Sequence, residues 1–375
     1  MLTPILTQRS HFSRARRVIV KVGTGVISSP TGGLSTPIIR RIVKSASELL
    51  KEGKEVIIVS SGAIGAGFPD LGLKERPKIL PLEQAASAIG QIKLISEYDR
   101  LFRKFGHKCA QILLTREDIE ERERFLNARN TFFSLLKRKI VPVVNENDSV
   151  ATDEIRYGDN DILSAMVTIL VEGDILIILT DRKGLLKPPV EKNEVISEVK
   201  EITSEIKKMA SSKGKGKGGM ESKVKAAEIL TRVGIPVIVA DGREKDIIIK
   251  ILKGEEVGTF FVPKSKEITG RKYWIAYLRK VKGKIQIDEG AKEAILLKGK
   301  SLLPTGIVGV EGKFYPGDTV SVVDLKGEEV ARGLVNYSWE MVEKIMGKNT
   351  NQIREILKDL PYEEVIHRDN MVLSR

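Results

Sequence analysis

Six short runs of mainly β-branched and aliphatic residues, at 18–23, 56–60, 109–115, 140–145, 175–180 and 236–240, punctuate the first 240 residues of the chain. Helix-length segments fill most of the gaps between them. Antiparallel strands can follow one another through a two-residue turn, whereas parallel strands need a crossover, usually a helix. The runs are near-continuously apolar rather than alternating, as strands covered on both faces are. Between the first two, Ser35-Thr36-Pro37 offers a cap and then a proline at the start of a helix. Ile38, Ile39, Ile42, Val43, Ala46, Leu49 and Leu50 recur at helical spacing, and Gly53 ends the stretch. Further helices fit 82–105, 125–139, 162–171 and 220–233. The expected class is therefore α/β, with three layers around a mainly parallel sheet.

The pattern changes after Phe261. Residues 264–284 hold eight Lys and Arg and one acid, Glu267, and read as a connector. Beyond it come short runs at 283–287, 306–310, 320–325 and 330–337, separated by turn signals such as Tyr315-Pro316-Gly317-Asp318 and Lys326-Gly327, with a helical stretch at 289–297. That is a small β-rich unit. Helical spacing returns from 339 to 357. Two domains is also the ordinary expectation for 375 residues.

The net charge of +13 is unevenly placed. Residues 283–375 carry 13 Lys and Arg against 15 Asp and Glu, so the whole excess lies in the first 282. No acidic residue precedes Glu48, and seven lysines between 207 and 225 face only Glu221. Such fields attract polyanions, whether nucleotides, phosphates or nucleic acid, and are equally the mark of a lysine-rich solvated surface. The single cysteine, Cys109, leaves no intrachain disulfide and fits a reducing compartment. In its apolar run it is expected to be a buried core thiol. No apolar run reaches the roughly 20 residues that span a bilayer, and the arginine-bearing N-terminus lacks the apolar core of a signal peptide. The expectation is a cytoplasmic protein with no membrane partner.

A Walker P-loop is absent, and His11, His107 and His367 are too scattered for a metal site or a triad. What the strands share is a glycine- or Asx-rich turn at the C-terminal end, where open α/β sheets bind ligands. Lys21, in Val20-Lys21-Val22-Gly23-Thr24-Gly25, either points a fixed charge into a site or is an edge lysine on a solvated face. The run Ser60-Ser61-Gly62-Ala63-Ile64-Gly65-Ala66-Gly67 is either a backbone NH nest for an anion or a tight packing turn. Asn145-Glu146-Asn147-Asp148-Ser149 and Gly158-Asp159-Asn160-Asp161 offer partners for the ammonium and carboxylate of an amino acid, and are also ordinary turn and cap sequences. Thr180-Asp181 ends another strand. The Lys-Gly run at 213–219 leads into Met220-Glu221-Ser222-Lys223, and is either a wrap for a triphosphate or a flexible loop.

Taken together and in this order, Lys21-Val22-Gly23-Thr24, Ser61-Gly62-Ala63-Ile64, residues 122–129 (Arg-Glu-Arg-Phe-Leu-Asn-Ala-Arg), Asn145 to Thr152, Gly158 to Asp161, Leu179-Thr180-Asp181 and Gly218-Gly219-Met220 with Lys223 resemble the glutamate 5-kinase family, within the amino-acid kinase fold. Ile287-Asp288-Glu289-Gly290-Ala291, Ser301-Leu302-Leu303-Pro304, Gly312, Gly317-Asp318 and Gly333 resemble a PUA domain. The resemblance covers nearly all of the chain after Arg16. The longer N-terminal leader and the lysines before Gly218 depart from the pattern. The domain division is accordingly 1–16 leader, 17–263 amino-acid kinase domain, 264–282 basic linker, 283–361 PUA-like domain and 362–375 tail.

The resemblance implies ATP-dependent phosphorylation of the glutamate side-chain carboxylate, the first step of proline biosynthesis. It further implies that Lys21 and Lys223 flank the transferring phosphoryl group, that Asp161 holds those lysines, and that Gly62 supplies backbone NH groups. Ser61, Asp148 and Asn160 match glutamate-binding positions. Lys21, Thr180, Asp181, Lys217, Gly218, Gly219, Met220, Glu221, Ser222 and Lys223 match ATP-binding positions. Mg²⁺ is implied as a companion of ATP, held mainly by phosphate oxygens with no protein metal site. A homo-oligomer with proline as feedback inhibitor is implied as well. Two other readings stay open: N-acetylglutamate kinase or another amino-acid kinase, which leaves the PUA-like region unexplained, and an RNA-binding or RNA-modifying protein, against which the net charge of −2 over residues 283–375 counts.

Overall fold

The computed structural model describes residues 6–29, 32–150, 160–188, 194–211, 219–264, 279–349, 352–353 and 362–374, the Arg122 side chain excepted. The chain divides into two compact units, Met1–Glu267 and Ile268–Arg375.

The first unit is built on an eight-stranded sheet. Its strands are β1 (Arg17–Val22), β2 (Glu55–Ser60), β3 (Lys108–Leu114), β4 (Ile140–Glu146), β5 (Ile175–Thr180), β6 (Glu198–Val199), β7 (Val237–Asp241) and β8 (Thr259–Phe261). Their spatial order is β3-β4-β2-β1-β5-β7-β8-β6, and every pairing is parallel except β7 with β8. The six expected strands are all present, to within one residue at either end. The last five residues of β1 and all of β5 are buried. Successive side chains of a strand face opposite ways, so these strands are covered on both faces. The edge strand β3 departs from this, being mostly half-buried. Cys109 lies on it and is half-buried too, rather than the core thiol expected; burial still pushes that thiol up to about 12, which keeps it protonated and inert at neutral pH.

The expected helices are also present. Thr36–Lys51 begins with Pro37 in its first turn; Ser35 stands at the N-cap but makes no side-chain capping bond. Leu80–Lys104, Arg122–Lys137, Asn160–Leu170 and Met220–Arg232 follow. One close approach fixes the relation between the short helix Ala63–Gly67, after β2, and helix Leu80–Lys104. A Cβ on Gly67 would lie 1.9 Å from the Ala86 carbonyl oxygen, and one on Gly90 would lie 1.7 Å from that of Ala63. Only two glycines let these backbones touch.

The N-terminal segment, expected as a leader, is instead part of the unit. Phe12 is fully buried and packs edge-on against Phe260, with ring centroids 5.0 Å apart. The Arg9 guanidinium donates to the carbonyls of Ser197 (2.6 Å), Val257 (2.9 Å) and Gly258 (3.1 Å). Apolar burial and four carbonyl bonds, the fourth to Glu255 at 3.3 Å, hold what composition alone leaves unassigned.

From β1 the chain crosses to β2 on one side, whereas β5, on the other side of β1, leads away towards β6 and β7. The crevice between the C-terminal ends of β1 and β5 is thus the switch point at which such sheets bind ligands.

The second unit has strands β9 (Val281–Ile287), β10 (Ile307–Gly312), β11 (Thr319–Val323), β12 (Glu329–Leu334) and β13 (Met371–Leu373), in the order β10-β9-β11-β12-β13. Only β9 and β11 are parallel neighbours. Ile285, Ile287, Phe314, Val320, Val322, Ile345 and Ile366 are among its core residues. The helix expected at 289–297 is Glu289–Leu296, capped by the Asp288 side chain. That expected at 339–357 is Trp339–Ile345, with 354–361 outside the described residues. Two expected boundaries move. Arg279 is already buried and β9 starts at Val281, so the end of the linker belongs to this unit; residues 265–278 lie outside the description. The expected tail supplies the edge strand β13 and buries Val365, Ile366, Met371 and Val372.

Candidate active site

Asp161 stands at the centre. It opens helix Asn160–Leu170, a helix buried along most of its length because Leu163, Ala165, Met166, Val167, Ile169 and Leu170 wrap it with apolar side chains. Ser164 and Thr168 satisfy their hydroxyls by donating to the carbonyls of Asp161 and Ser164. The helix packs on helix Met220–Arg232, which brings two remote lysines to one carboxylate. Lys21 Nζ is 2.5 Å from Asp161 Oδ1, and Lys223 Nζ is 2.9 Å from Oδ2. Ser222 Oγ donates to the same Oδ2 at 2.7 Å. Asp161 is 0% exposed, Lys21 5% and Lys223 4%. Burial by itself would raise the Asp161 carboxyl, but the ammonium of Lys21, and then that of Lys223, hold it well below the ordinary carboxylate range. The edge-lysine alternative for Lys21 is excluded, since β1 is paired on both sides at that residue.

Around this triad lie the strand-end turns. Gly62 takes a left-handed backbone, φ 105°, and a Cβ there would meet the Ile27 side chain at 3.1 Å, so the turn after β2 requires glycine. Thr180 is buried and its hydroxyl donates to Asp181 Oδ1 at 3.2 Å; Asp181 is exposed beside Gly25. Gly219 caps helix Met220–Arg232, and its carbonyl accepts from Lys223 Nζ (3.4 Å) and lies 2.8 Å from Ser222 Oγ, whose single proton it shares with Asp161 Oδ2. Met220 is half-buried, whereas Glu221 points outwards to an ion pair with Lys225. Lys217 and Gly218, like Asp159, lie outside the described residues.

A second polar cluster adjoins the first through Asn160. Its amide donates to Ser61 Oγ (2.8 Å) and to Asn145 Oδ1 (2.9 Å), and its own Oδ1 is buried with no hydrogen-bond partner among the described residues. Asn145 Oδ1 also accepts from the Glu146 NH. Asp148 is buried, and accepts from Ser87 Oγ at 2.7 Å. Burial raises the Asp148 carboxyl above its ordinary range, against the Ser87 hydrogen bond and the charge of Arg76. The expected site residues that are described lie at or beside the C-terminal ends of β1, β2, β4 and β5, except Met220, half-buried next to Gly219, and Glu221, which turns away. Residue patterns missed Ser87, the bond from Ser222 to Asp161, and Asn145 as the hub between the strand end and Asn160. Only the polar i, i+4 series Glu83, Ser87, Gln91 signalled that helix Leu80–Lys104 has a buried polar face.

The chemical capacity is clear from the charges. Two buried ammonium groups, paired with one carboxylate at a sheet switch point, form a preorganised anion site. The neighbouring carboxylate and amides suit an amino-acid ligand.

Comparison with known proteins identifies the family. The model of the amino acid kinase family matches residues 16–241, and that of the PUA domain matches residues 283–357. The glutamate 5-kinase of Thermoanaerobacter pseudethanolicus is 48% identical over 362 residues, covering 95% of this chain and 97% of that protein. That of Dictyoglomus turgidum is 48% identical over 363 residues, covering 96% and 98%. That of Moorella thermoacetica is 45% identical over 370 residues, covering 97% and 98%. Fold, site and similarity converge: the chain belongs to the amino acid kinase family and carries a C-terminal PUA domain.

Proposed function

We propose that the protein transfers the γ-phosphoryl group of ATP to the side-chain carboxylate of L-glutamate, giving L-glutamyl 5-phosphate, as the first step of proline biosynthesis. The observation that carries this reading is the Lys21–Asp161–Lys223 triad, continued through Asn160 to Ser61 and Asn145, with Asp148 buried on the loop that follows β4. The full-length relatives named glutamate 5-kinase support the choice of acceptor.

The acceptor is already an anion at neutral pH, since a glutamate carboxyl titrates near about 4.3. The protein therefore needs no general base. Its task is to bring two anions together in line and to neutralise the charge on the oxygens of the phosphoryl group. A carboxylate oxygen of glutamate forms the bond to Pγ as the bond from Pγ to the β,γ-bridging oxygen breaks, and ADP leaves with that electron pair. Lys21 and Lys223 contact the phosphoryl oxygens, oriented by Asp161, and the backbone after Gly62 adds NH donors. Ser222, bonded to Asp161 and to the Gly219 carbonyl, orients Lys223. Thr180, Asp181 and the segment from Lys217 through Gly218, Gly219 and Met220 hold the nucleotide. Ser61, Asn160 and Asp148 hold glutamate, Asp148 pairing with its α-ammonium. Mg²⁺ enters as part of the MgATP substrate. Its ligands would be mainly phosphate oxygens, where it would offset the charge of the polyphosphate, while Asp161 stays paired with the two lysines. A cytoplasmic homo-oligomer inhibited by proline completes the reading, with RNA binding by the PUA domain disfavoured by that region's charge.

Hydroxylamine traps acyl phosphates and tests the assignment directly. Incubation with ATP is expected to give hydroxamate from glutamate and none from N-acetylglutamate, because acetylation removes the charge that pairs with buried Asp148. Hydroxamate from N-acetylglutamate alone would overturn the reading.

A further inference from the structure

We infer that Ser87 and Gln91 are positioning residues for the amino-acid substrate, which set the loop after β4 so that the Asp148 carboxylate faces the α-ammonium group. The inference rests on the functional reading above. Asn145 and Glu146 still pair with β3, and the Asn147 NH donates to the Leu114 carbonyl at 3.0 Å; the ladder ends there, and Asp148 stands in the Asx-rich turn beyond it. What reaches this turn is one face of helix Leu80–Lys104. Ser87, 0% exposed, donates to Asp148 Oδ2 at 2.7 Å. Gln91, one helical turn further on the same face, donates from Nε2 to the Glu146 carbonyl at 3.3 Å, and its Oε1 accepts from Gln111 Nε2 of β3 at 3.4 Å. The contact of Gly67 with Ala86 and of Gly90 with Ala63 fixes this helix against the turn that carries Ser61. A single scaffold therefore places both sides of the acceptor pocket. A hydroxyl donating to a buried carboxylate also favours its ionised form. The charged groups acting on Asp148 besides are Arg76, which favours ionisation, and Glu83, which opposes it and is itself paired with Arg76 at 3.5 Å.

The test uses the full chain and steady-state kinetics with hydroxamate detection. Ser87→Ala is expected to raise KM for glutamate about 10–100-fold, the range for a hydrogen bond to a charged group, with KM for ATP within about 2-fold of wild type. Ser87→Thr, which keeps the hydroxyl, is expected to recover most of that loss. The acid limb of kcat/KM for glutamate should move to higher pH in Ser87→Ala. Gln91→Met, similar in size but without the donor, should also raise KM for glutamate selectively. In an Asp148→Asn background Ser87→Ala should add less than about 2-fold, because the two act as one unit. Equal rises in both KM values, an unmoved acid limb, or full additivity with Asp148→Asn would overturn the inference and leave Ser87 as packing. If wild type forms no hydroxamate from glutamate, the functional reading fails and takes this inference with it. Hydroxamate from wild type with unaltered kinetics in both variants refutes this inference alone.

Discussion

Replacing Asp161 by asparagine keeps the shape of the side chain and removes the charge that two buried ammonium groups share. Lys21 and Lys223 approach its two oxygens at 2.5 Å and 2.9 Å, with no side chain of the three more than 6% exposed. Deleting one partner of a buried pair costs about 3–5 kcal/mol, because the other charge stays buried without compensation. In a domain of this size about 1 kcal/mol moves Tm by 2–4 °C, so a fall of about 6–20 °C is expected. The lysines also lose their orientation, and kcat should fall by about 10²–10³-fold, the loss seen when one donor to a transition-state oxyanion is removed. A polyphosphate supplies the missing negative charge. A non-hydrolysable ATP analogue at saturation should therefore raise Tm more in Asp161→Asn than in wild type. The folded Asp161 carboxyl is held below its unfolded value, so its contribution is fully present above the ordinary carboxyl range and is lost only as pH falls through the depressed folded value. The gap between the two proteins should thus persist in mild acid and close only in strong acid. Calorimetry with and without the analogue, beside steady-state kinetics, decides the matter. A variant with wild-type Tm and kcat, or one stabilised less by the analogue, would refute the charge argument.

Three further outcomes follow from the same geometry. Burial holds the Asp148 carboxyl above its unfolded value, so ionising it opposes folding as pH rises through the ordinary carboxyl range; Asp148→Asn should raise KM for glutamate while raising Tm at neutral pH, a gain that disappears in acid, and a Tm change independent of pH would contradict this. Gly90→Ala places a Cβ 1.7 Å from the Ala63 carbonyl oxygen, a backbone atom that cannot rotate away; a loss of at least about 1–3 kcal/mol in urea unfolding is expected, and unchanged stability would remove the close contact from the account. Residues 1–267 alone should unfold cooperatively and keep glutamate-dependent ATP turnover; a folded but inactive fragment would place essential groups in the second unit.

Much of the framework was legible because central parallel strands must be apolar throughout: β1, β2, β4, β5 and β7 announce themselves. Strands β6 and β8, of two and three residues, carry no period to detect. Lys21 illustrates the limit more sharply. Its neighbours allowed either an edge or a site lysine, and the choice depends on β1 lying between β2 and β5, a fact of sheet order rather than of local sequence. The Asp161 and Asn160 positions were readable as an Asx cluster at a helix start. Local pattern gave no partner for either, for Lys223 and Ser61 stand 62 and 99 residues away; only the family resemblance tied Asp161 to its lysines. Ser87 is the extreme case: between alanines in a helix, nothing local marks it as a donor to Asp148, 61 residues on.

The clasp of Arg9 and Phe12 bears on how the chain is made. Arg9 reaches the Val257 carbonyl across 248 residues of sequence, and Phe12 finds its ring partner only at Phe260. Contacts so distant in sequence carry the loop-closure entropy of almost the entire unit, and form late. While the chain is being synthesised, Lys54 can hold the Ser13 and Ala15 carbonyls early, but Arg9 and Phe12 lack the Gly258 carbonyl and the Phe260 ring until β8 has left the ribosome. The Phe12–Phe260 contact can therefore close only after the last strand of the sheet has been made.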